Sequence, residues 1–510
     1  MANPIIQAII CGDIETEEDL QRAKKNYAKT LRMAKLPSNA DILALASEYE
    51  RPLVEDFLRM KPTRTLSGVA VVAVMTSPED CPHGKCAYCP GGVENNSPQS
   101  YTGREPAALR ADQNQFDPHN QTKNRILALE EIGHPTDKID LIIMGGTFTA
   151  REQQYQETFV KRCLDAMNGQ DSRTLQKAQK LNETALHRCI GLTVETRPDY
   201  FLEEQIEQSV LLGATRVELG VQTIYDNVLE KVERGHGIAE TKKATRLARD
   251  HGLKICYHMM PGLPGVTREM DLEAFKTIFS NPDYMPDMLK IYPTLVLKGT
   301  KTYKKWEEGE YEPLNTQQAA ELVAEIKTIT PQWVRIQRVQ RDIPSPLVDA
   351  GVKKSNLRQY AQAVLDEHGQ KCNCIRCREI GRAPESMGGE VEEHERSYSA
   401  GGGEEAFITL EIDNWLVGFV RVRKPSPQSL YKDMALVREL KVFGQEVPIG
   451  QKGTWQHRGY GKRLMELAEK KARVWDKDKV RVTSGIGTRE YYRRLGYILE
   501  EMGMVKTIGE

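Results

Sequence analysis

The sequence predicts an α/β protein in which a partial (β/α)6 barrel is joined to a smaller α+β domain. Helix-length segments such as 122–133, 202–212 and 239–251 separate six apolar, strand-like runs. Strands that alternate with helices form parallel sheets. The six runs are 69–77, 139–146, 191–197, 216–223, 254–262 and 288–296. Beyond them, strand-like segments at 407–412, 416–423 and 435–444 precede a helical segment, a pattern typical of an antiparallel sheet covered by a helix.

The composition indicates a folded protein with several domains. The chain has 510 residues, of which 39% are hydrophobic and 28% charged, and its net charge is −1. No apolar run reaches the length of a membrane span, and the N-terminal segment lacks the pattern of a secretory signal. Six of the ten cysteines lie in two clusters, at 81–89 and at 372–377. Such clusters are typical of metal sites in a reducing compartment, so we expect a cytoplasmic protein without a membrane anchor.

The first cluster, formed by Cys81, Cys86 and Cys89, directly follows the strand-like run 69–77. Three thiolates can hold three irons of a [4Fe–4S] cluster and leave the fourth iron open to a substrate-like ligand. This arrangement suits a cluster that binds S-adenosylmethionine and transfers one electron to it. A structural zinc site, with His83 as the fourth ligand, is the alternative.

The second cluster is the compact sequence Cys372-Asn-Cys374-Ile-Arg-Cys377. Its spacing predicts a structural zinc site that lacks one ligand, and His368 and His394 are the nearest candidates. A second iron–sulfur cluster is the alternative. The glycine- and acid-rich segment 385–405 is predicted to be a hinge or an irregular connection to the following sheet.

Polar and glycine-rich residues follow the predicted barrel strands at the point where each ends. In parallel barrels, the chemistry gathers at the C-terminal ends of the strands. Besides the cysteine loop, these ends carry Gly145-Gly146-Thr147, Glu195-Thr-Arg197, Gln222 and the turn 261–265. Packing alone does not explain such residues at every strand end, so we expect a ligand site there.

A phosphate-binding turn is predicted near the C-terminus, where Gln456, Gly459, Tyr460 and Gly461 precede a helical segment. Glycines allow close approach of a ligand, and a helix N-terminus presents free N–H groups and a positive dipole end to a pyrophosphate. Further on, Tyr491 and Tyr492 are adjacent. Neighbouring helical residues point in different directions, so we expect one of the two tyrosines to face the site.

Three basic segments predict a nucleic-acid surface, although each could also be a solvated helix face. Six basic residues and no acidic ones lie between Arg22 and Lys35. A second basic segment lies at 335–358. A third, at 458–494, has twelve lysines and arginines against five acidic residues.

Several motifs together resemble the radical S-adenosylmethionine domain of the Elongator catalytic subunit family. They are CPHGKCAYCPGG, QSYTG, MGGTF, ETRPD and LGVQT. Most radical SAM enzymes separate the first two cysteines by three residues, and the four residues between Cys81 and Cys86 support this narrower match. The order of elements after residue 400 resembles the GNAT acetyltransferase fold, so the resemblance spans essentially the whole chain.

The resemblance implies functional residues in both halves of the chain. It assigns Gly145, Gly146, Thr147, Glu195 and Gln222 to S-adenosylmethionine. It assigns acetyl-CoA binding to Lys138, to the strand Glu439-Leu440-Lys441-Val442, and to the turn at Gln456, Gly459, Tyr460 and Gly461. It assigns Tyr492, with Tyr491 beside it, as the catalytic tyrosine that also contacts acetyl-CoA. The assignment of the strand has a physical basis, because a splayed strand edge can pair with the amides of pantetheine.

The family attaches a carboxymethyl-type group to carbon 5 of the wobble uridine of tRNA. The resemblance therefore implies radical chemistry in which S-adenosylmethionine gives a 5′-deoxyadenosyl radical, hydrogen is taken from the acetyl methyl group, and the thioester is hydrolysed. It implies four regions: a basic helical region for tRNA (1–65), a radical SAM domain (66–340), a zinc-binding linker (341–395) and an acetyltransferase domain (396–510). An electron donor, and a homodimer or Elongator-like subunits, are implied as partners.

Two alternatives from other classes stay open on the sequence. The chain could be a protein lysine acetyltransferase with a non-catalytic iron–sulfur domain, or a tRNA-binding scaffold without turnover. The intact motifs at the strand ends argue against the first, and the complete cysteine triad argues against the second.

Overall fold

The computed structural model describes residues 3–65, 68–384, 387–444 and 458–509. No helix in these ranges is long and apolar enough to cross a membrane. A parallel seven-stranded sheet and a mixed seven-stranded sheet each carry an apolar core. The predicted class, a partial barrel joined to an α+β domain, is confirmed.

Four short helices form the N-terminal region around a small core that includes Ile6, Leu20 and Leu43. They are α1 (Pro4–Ile10), α2 (Glu17–Thr30), α3 (Asn39–Leu43) and α4 (Arg51–Leu58). The predicted basic run lies mostly on α2. One of its members, Lys24, is only 4% exposed and donates a hydrogen bond to Asn39, so it belongs to the core and not to the basic surface.

The parallel sheet has seven strands in chain order, one more than predicted. They are β1 (Ala70–Met75), β2 (Lys138–Met144), β3 (Arg188–Thr196), β4 (Arg216–Gln222), β5 (Lys254–Met259), β6 (Met288–Ile291) and β7 (Arg335–Val339). The seventh strand pairs with β6. Its sequence, RIQRV, carries two arginines and a glutamine in five residues, which is why it was interpreted as part of a basic segment.

Helices pack on one face of this sheet, and the other face is polar. On β4, Val217, Leu219 and Val221 enter the apolar core, while Glu218 and Gln222 alternate with them and line a pocket. The helices of this part of the chain are α5 (Pro106–Gln113), α6 (Pro118–Glu131), α7 (Gln153–Asn168), α8 (Leu175–Asn182), α9 (Glu203–Leu212), α10 (Asp226–Lys231), α11 (Ile238–Asp250), α12 (Arg268–Ser280), α13 (Lys301–Glu307), α14 (Thr316–Ile329), α15 (Leu357–Glu367) and α16 (Ile375–Arg378).

The second sheet has the strand order β13-β14-β12-β11-β10-β9-β8. Its strands are β8 (Glu392–Ala400), β9 (Gly403–Ile412), β10 (Trp415–Lys424), β11 (Ala435–Val442), β12 (Lys479–Val482), β13 (Ile498–Glu500) and β14 (Gly503–Thr507). Two helices accompany them, α17 (Tyr460–Val474) and α18 (Arg489–Arg493). All neighbouring strands are antiparallel except β11 and β12.

The interpretation of segment 385–405 as a hinge is wrong over much of its length. Residues Glu392–Ala400 form β8, which pairs with β9 along all nine residues. Its exposed and half-buried residues alternate, because this edge strand has one face toward solvent. Its high content of acidic residues concealed that alternation in the sequence.

Buried ion pairs join the two sheets. Asp287, just before β6, accepts hydrogen bonds from the guanidinium of Arg438 on β11 at 2.7 and 2.8 Å. Arg438 also bonds Glu405 of β9 at 2.9 Å, and Arg249 of α11 lies 3.3 Å from Glu405. All four residues are fully or almost fully buried. Breaking a buried pair typically costs about 3–5 kcal/mol, so these contacts hold the two sheets in one fixed arrangement.

Candidate functional site

A pocket lies at the carboxyl-terminal edge of the parallel sheet. The structure brings together there Cys81, Gly146, Thr147, Glu195 and Gln222, which come from four separate stretches of the sequence. This is the edge at which parallel barrels bind their ligands.

The spacing of the thiols distinguishes the two cysteine clusters. The sulfurs of Cys372, Cys374 and Cys377 all lie within 4.8 Å of one another, whereas those of the loop at 81–89 do not. A zinc ion binds thiolates at about 2.3 Å, which requires its ligands to crowd together. A [4Fe–4S] cluster binds each thiolate through a different iron, so it needs a wider spacing. The loop therefore fits an iron–sulfur cluster and the compact group fits a single ion.

Polar groups surround the loop thiols, which are all buried. Gln99 donates from Nε2 to Cys89 Sγ at 3.0 Å, and His83 Nε2 lies 3.1 Å from Cys86 Sγ. Thr147 Oγ1 is 3.5 Å from Cys81 Sγ. His83 thus contacts one thiol of a set too widely spaced for one zinc ion.

A buried arginine also faces this loop. The guanidinium of Arg234 lies 3.7 Å from Cys86 Sγ and donates to the carbonyl of Gly220 at 2.6 Å. No carboxylate among the described residues forms an ion pair with it. A buried cation needs a counter-charge. The donor set therefore fits an anionic group held by the thiols, which a thiolate-ligated cluster is.

Gly145 and Gly146 allow the backbone to come close to the cysteine loop. They have φ values of 153° and 72°, in the left-handed region. A Cβ atom on Gly145 would lie 2.0 Å from Thr76 Oγ1, and one on Gly146 would lie 3.0 Å from the carbonyl of Gln99. Any side chain at these positions would therefore displace Thr76 or the backbone at Gln99, whose side chain contacts Cys89.

Gln222 ends β4 in an unusual conformation. Its φ is 72°, which is rare for a residue other than glycine, and its Oε1 is buried without a hydrogen-bond partner among the described residues. Strain and an unsatisfied polar atom at one position are typical of a ligand contact.

The pocket floor holds two carboxylates bridged by a lysine. Lys290 on β6 lies 3.2 Å from Glu195 Oε1 and directly contacts Glu218 Oε2. His258 Nε2 is 2.9 Å from the same Glu218 oxygen, and the hydroxyl of Tyr101 donates to Glu195 Oε2 at 2.9 Å. Sequence reasoning identified Glu195 but missed Lys290, Glu218 and His258, although each is a polar residue within an apolar strand.

The charges on this floor support one another. Burial alone would raise the pKa of Glu218, but Lys290, His258 and Arg216 outweigh it and hold that pKa well below its usual range. Burial would lower the pKa of Lys290, and Glu218, Tyr292 and Glu195 raise it well above its usual range instead. Both groups are therefore ionised near neutral pH.

The compact cysteine group lies where the two sheets meet. Cys374 precedes α16, and Ile375 N donates to the carbonyl of Val334 at 2.9 Å, next to β7. Neither predicted histidine joins the three thiols. The ring of His368 instead contacts the carbonyl of Val364 at 2.7 Å on an exposed helix end, and His394 lies on β8 beside Glu392.

The second sheet opens between β11 and β12. These strands pair only from Ala435 to Val437, opposite 480–482, while β11 continues to Val442. Among the described residues, the backbone of Glu439, Leu440, Lys441 and Val442 is therefore unpaired on that side. Because this edge is splayed, it can accept an extended ligand with amide groups.

The N-terminus of α17 lies beside this opening. Gly459 is its N-cap residue with φ 88°, and no atom of the described residues lies within 4 Å of where its Cβ would be. A Cβ on Gly461 would come within 2.7 Å of the Tyr491 hydroxyl. Tyr460 begins the helix. Gln456 lies outside the described residues.

The adjacent tyrosines differ in their surroundings. The hydroxyl of Tyr491 is buried without a hydrogen-bond partner among the described residues, and burial raises its pKa to about 12. The ring of Tyr492 makes edge-to-face contacts with those of Tyr491 and Tyr497, and burial raises its pKa further. Tyr491 is thus the tyrosine whose hydroxyl borders the glycine turn.

Lys138 lies at the opposite edge of the parallel sheet from the cysteine loop. It begins β2 opposite Arg188, and the segment after β12 packs against the same place, since a Cβ on Gly487 would lie 2.5 Å from the Arg188 side chain. The Lys138 ammonium is buried, 3.5 Å from Asp137, without a hydrogen bond among the described residues. It is therefore placed near the second sheet, as an acetyl-CoA contact would require.

Four family models match successive parts of the chain. They are the ELP3 N-terminal domain (1–66), the Radical SAM superfamily (75–278), the Radical_SAM C-terminal domain (286–367) and the Acetyltransferase (GNAT) family (376–497). The fold and the site thus define a radical SAM protein with an acetyltransferase domain. The Radical SAM match implies a [4Fe–4S] cluster and S-adenosylmethionine, and the acetyltransferase match implies acetyl-CoA.

Curated relatives extend the similarity over nearly the full length. A protein of Methanocaldococcus jannaschii named tRNA uridine(34) acetyltransferase is 52% identical over 94% of this chain and 92% of its own length. Elongator complex protein 3 of Bos taurus is 41% identical over 96% and 93%. A solved structure, the archaeal Methanocaldococcus infernus Elp3 with residues 1–46 deleted, has a TM-score of 0.77 at 46% identity and covers 87% of this chain and 100% of its own. The chain belongs to the family of tRNA uridine(34) acetyltransferases and Elongator complex protein 3.

Proposed function

We propose that this protein uses S-adenosylmethionine and acetyl-CoA to form a carboxymethyl group at carbon 5 of the wobble uridine, position 34, of tRNA. The observation that carries the proposal is the pairing of two sites in one chain. A three-thiol loop lies at one edge of the parallel sheet, and the splayed strand β11 contacts the other edge through Arg438, which bonds Asp287 and the carbonyl of Leu253. Relatives that share both halves are named for uridine 34 of tRNA.

In the radical half, Cys81, Cys86 and Cys89 hold the [4Fe–4S] cluster, which when bound supplies one electron to S-adenosylmethionine. Gly145, Gly146, Thr147, Glu195 and Gln222 bind and orient that cofactor. Arg234 balances the negative charge of the thiolates. The buried setting of the loop excludes water from the reacting groups.

In the acetyl half, the α17 N-terminus at Gly459, Tyr460 and Gly461, together with Gln456, binds the pyrophosphate of acetyl-CoA. The strand edge Glu439-Leu440-Lys441-Val442 pairs with the pantetheine amides, and Lys138 supplies a positive charge for a phosphate. Tyr492, with Tyr491 beside it, positions or protonates the leaving thiolate.

Cys372, Cys374 and Cys377 bind zinc in a structural role, with a fourth ligand that is not one of the two predicted histidines. The close spacing of the thiols supports this assignment. We also propose that the four regions of the chain end at residues 65, 340, 395 and 510. The third boundary falls within the second sheet, because β8 begins at Glu392.

Three arginines from separate elements support tRNA binding near the pocket. Arg64 ends a turn after α4, Arg110 lies on α5 and Arg125 on α6, and none pairs with a carboxylate among the described residues. Burial, then Arg110 and Arg64, lowers the pKa of Arg125 to about 10, so the three charges lie close enough to repel one another. Burial and the charge of Arg64 lower the pKa of Arg110, and the carboxylate of Asp342, which lines the pocket, opposes them. Like charges held together near a pocket-lining residue suit a chain of phosphates.

The proposed partners are tRNA, acetyl-CoA and an electron donor for the cluster. A second copy of the chain, or Elongator-like subunits, is proposed as a further partner. The proposed location is the cytoplasm. Bovine and human relatives are named as Elongator complex proteins.

Hydrolysis of acetyl-CoA by the purified protein tests this function. We expect tRNA to stimulate release of free CoA and basic peptides to leave the rate unchanged, because the acceptor is a nucleic acid. Stimulation by peptides, with acetyl-lysine as product, would instead show a protein lysine acetyltransferase. Binding of tRNA without any release of CoA would show a scaffold.

A further inference from the structure

The lysine on the pocket floor has an unusual position between two acids. Lys290 is 8% exposed, Glu195 is 7% exposed and Glu218 is fully buried. The ammonium contacts both carboxylates, at 3.2 Å for Glu195 and directly for Glu218. Charged residues this deeply buried occur almost always in pairs, and here one cation serves two anions.

Both oxygens of Glu195 are occupied by protein groups. Lys290 holds Oε1, and the hydroxyl of Tyr101 donates to Oε2 at 2.9 Å. A carboxylate bonded through both oxygens has a fixed orientation. Glu195 lies at the end of β3 and lines the pocket, so these two contacts determine which way it faces.

Lys290 is the cation that Glu195 depends on. Glu218 has additional partners, since His258 lies 2.9 Å and Arg216 3.5 Å from its oxygens. Glu195 forms an ion pair with Lys290 alone among the described residues. The other titratable or charged groups around the three residues are Asp140 of β2, Cys256 of β5, Tyr292 after β6, Arg338 of β7 and Arg341.

The same floor has the ligand types of a metal site. Atoms of Glu218, Cys256 and His258 lie within 4.8 Å of one another. The Lys290 ammonium contacts Glu218, and an ammonium repels a metal cation. The lysine therefore supplies the positive charge that a metal ion would otherwise bring.

We propose that Lys290 is a positioning residue of the S-adenosylmethionine site, which holds the Glu195 carboxylate oriented toward the cofactor. The inference rests on the proposed function, because it takes Glu195 as part of that site. Lys290 is the main cation that holds the pKa of Glu218 well below its usual range against the effect of burial. Without Lys290, the Glu218 carboxylate is therefore expected to take up a proton more readily as the pH falls.

The test measures S-adenosylmethionine binding to the anaerobically reconstituted protein between about pH 6 and pH 8. Lys290→Met keeps the length of the side chain and removes its charge. We expect binding to weaken by roughly ten- to a hundred-fold, as for loss of a charged hydrogen bond, and to weaken more at the acidic end of the range. Lys290→Arg should restore most of the affinity and remove the pH dependence.

Lys327→Met is the matched control, since Lys327 is 1% exposed but lies on α14 and donates to Gln362 at 2.7 Å, away from the pocket. It should leave affinity and its pH profile unchanged. Affinity of Lys290→Met equal to that of the wild type at every pH would overturn the inference, as would an equal loss in Lys290→Arg. Failure of the wild type to bind the cofactor at all would instead overturn the proposed function.

Discussion

The two candidate sites are built in opposite ways. The pocket of the parallel sheet is made of buried polar side chains, including three thiols, Arg234 and the Lys290 floor. The proposed acetyl-CoA site is made mainly of backbone: a strand edge after Val437 that has no partner strand among the described residues, a helix N-terminus and two glycines. The first is therefore sensitive to removal of side chains, whereas the second is sensitive to atoms that are added.

This difference follows from what each site must hold. A cluster and a reactive cofactor need fixed ligands and counter-charges, which side chains supply. An extended pantetheine arm with its pyrophosphate needs N–H groups and space, which backbone supplies. Substitutions that remove side chains should therefore impair mainly the first site, and substitutions that add atoms should impair mainly the second.

The largest effect is expected from removal of the loop thiols. Cys81→Ala, Cys86→Ala, Cys89→Ala in one chain should abolish iron binding and leave zinc bound, because the zinc thiols lie in another part of the fold. Elemental analysis and the visible absorption spectrum after anaerobic reconstitution measure this.

Cys163→Ala, Cys189→Ala provides the control, since both thiols are buried outside the two clusters. It should keep full iron content. Unchanged iron in the triple variant would refute the assignment of the loop.

The next largest effect is expected from a side chain in the glycine turn. Gly459→Glu places atoms and a negative charge in the open space at the α17 N-terminus, so acetyl-CoA binding should weaken by at least about a hundred-fold. Binding of tRNA should survive, because the basic residues remain. Calorimetric titration with acetyl-CoA and a tRNA gel-shift measure the two.

Gly169→Glu matches this change, since Gly169 also has a positive φ, 69°, with open space around its Cβ position. It introduces the same charge and the same backbone strain after α7. If both variants lose acetyl-CoA equally, strain and not the site explains the loss.

A smaller effect should distinguish the tyrosines. Tyr492→Phe should keep acetyl-CoA binding and slow thioester cleavage by roughly ten- to a thousand-fold if the hydroxyl is a general acid. Tyr491→Phe should mainly weaken binding, because its hydroxyl borders Gly461. Rates and binding constants of both variants measure this, and full activity of Tyr492→Phe would exclude that role.

The smallest effect is expected for tRNA binding by single basic groups. Arg110→Glu and Arg125→Glu should weaken binding of all tRNAs and reduce the salt slope by roughly 0.7–0.9 for each lost phosphate contact. Charge reversal on α2, at Arg22, Lys25 and Lys29, tests the predicted basic helix in the same way, with Lys24 left intact because it is buried. An unchanged slope would show that the altered surface is merely solvated.

Much of the fold could be predicted because periodicity is local. The six predicted barrel strands all form, and Gly459 is the N-cap residue of α17, where a turn before a helix is predicted. Charged residues concealed the other strands. The sequence of β7 is typical of a basic segment and that of β8 of an acidic hinge. Both strands are stabilised by pairing, β7 with β6 and β8 with β9, and one face of β8 is exposed, so their own sequences are not apolar.

The candidate sites, too, could be predicted only in part. Cysteines and glycines have fixed spacings that the sequence displays, so the loop and the strand ends were identified. Lys290, Arg234 and the arginines Arg64, Arg110 and Arg125 were missed, because their roles depend on residues far away in the sequence, as Arg234 and Cys86, 148 residues apart, illustrate. A lysine within the apolar strand MLKI was the one available sign.

The most direct test of joint action by the two sites is mass spectrometry of uridine 34 after anaerobic incubation with tRNA, S-adenosylmethionine and acetyl-CoA labelled in the acetyl group. The account predicts a labelled carboxymethyl group on that uridine with the wild type, and none with the triple cysteine variant, with Gly459→Glu or without S-adenosylmethionine. Labelled uridine in the absence of the loop thiols, or label found only on lysine side chains, would contradict it.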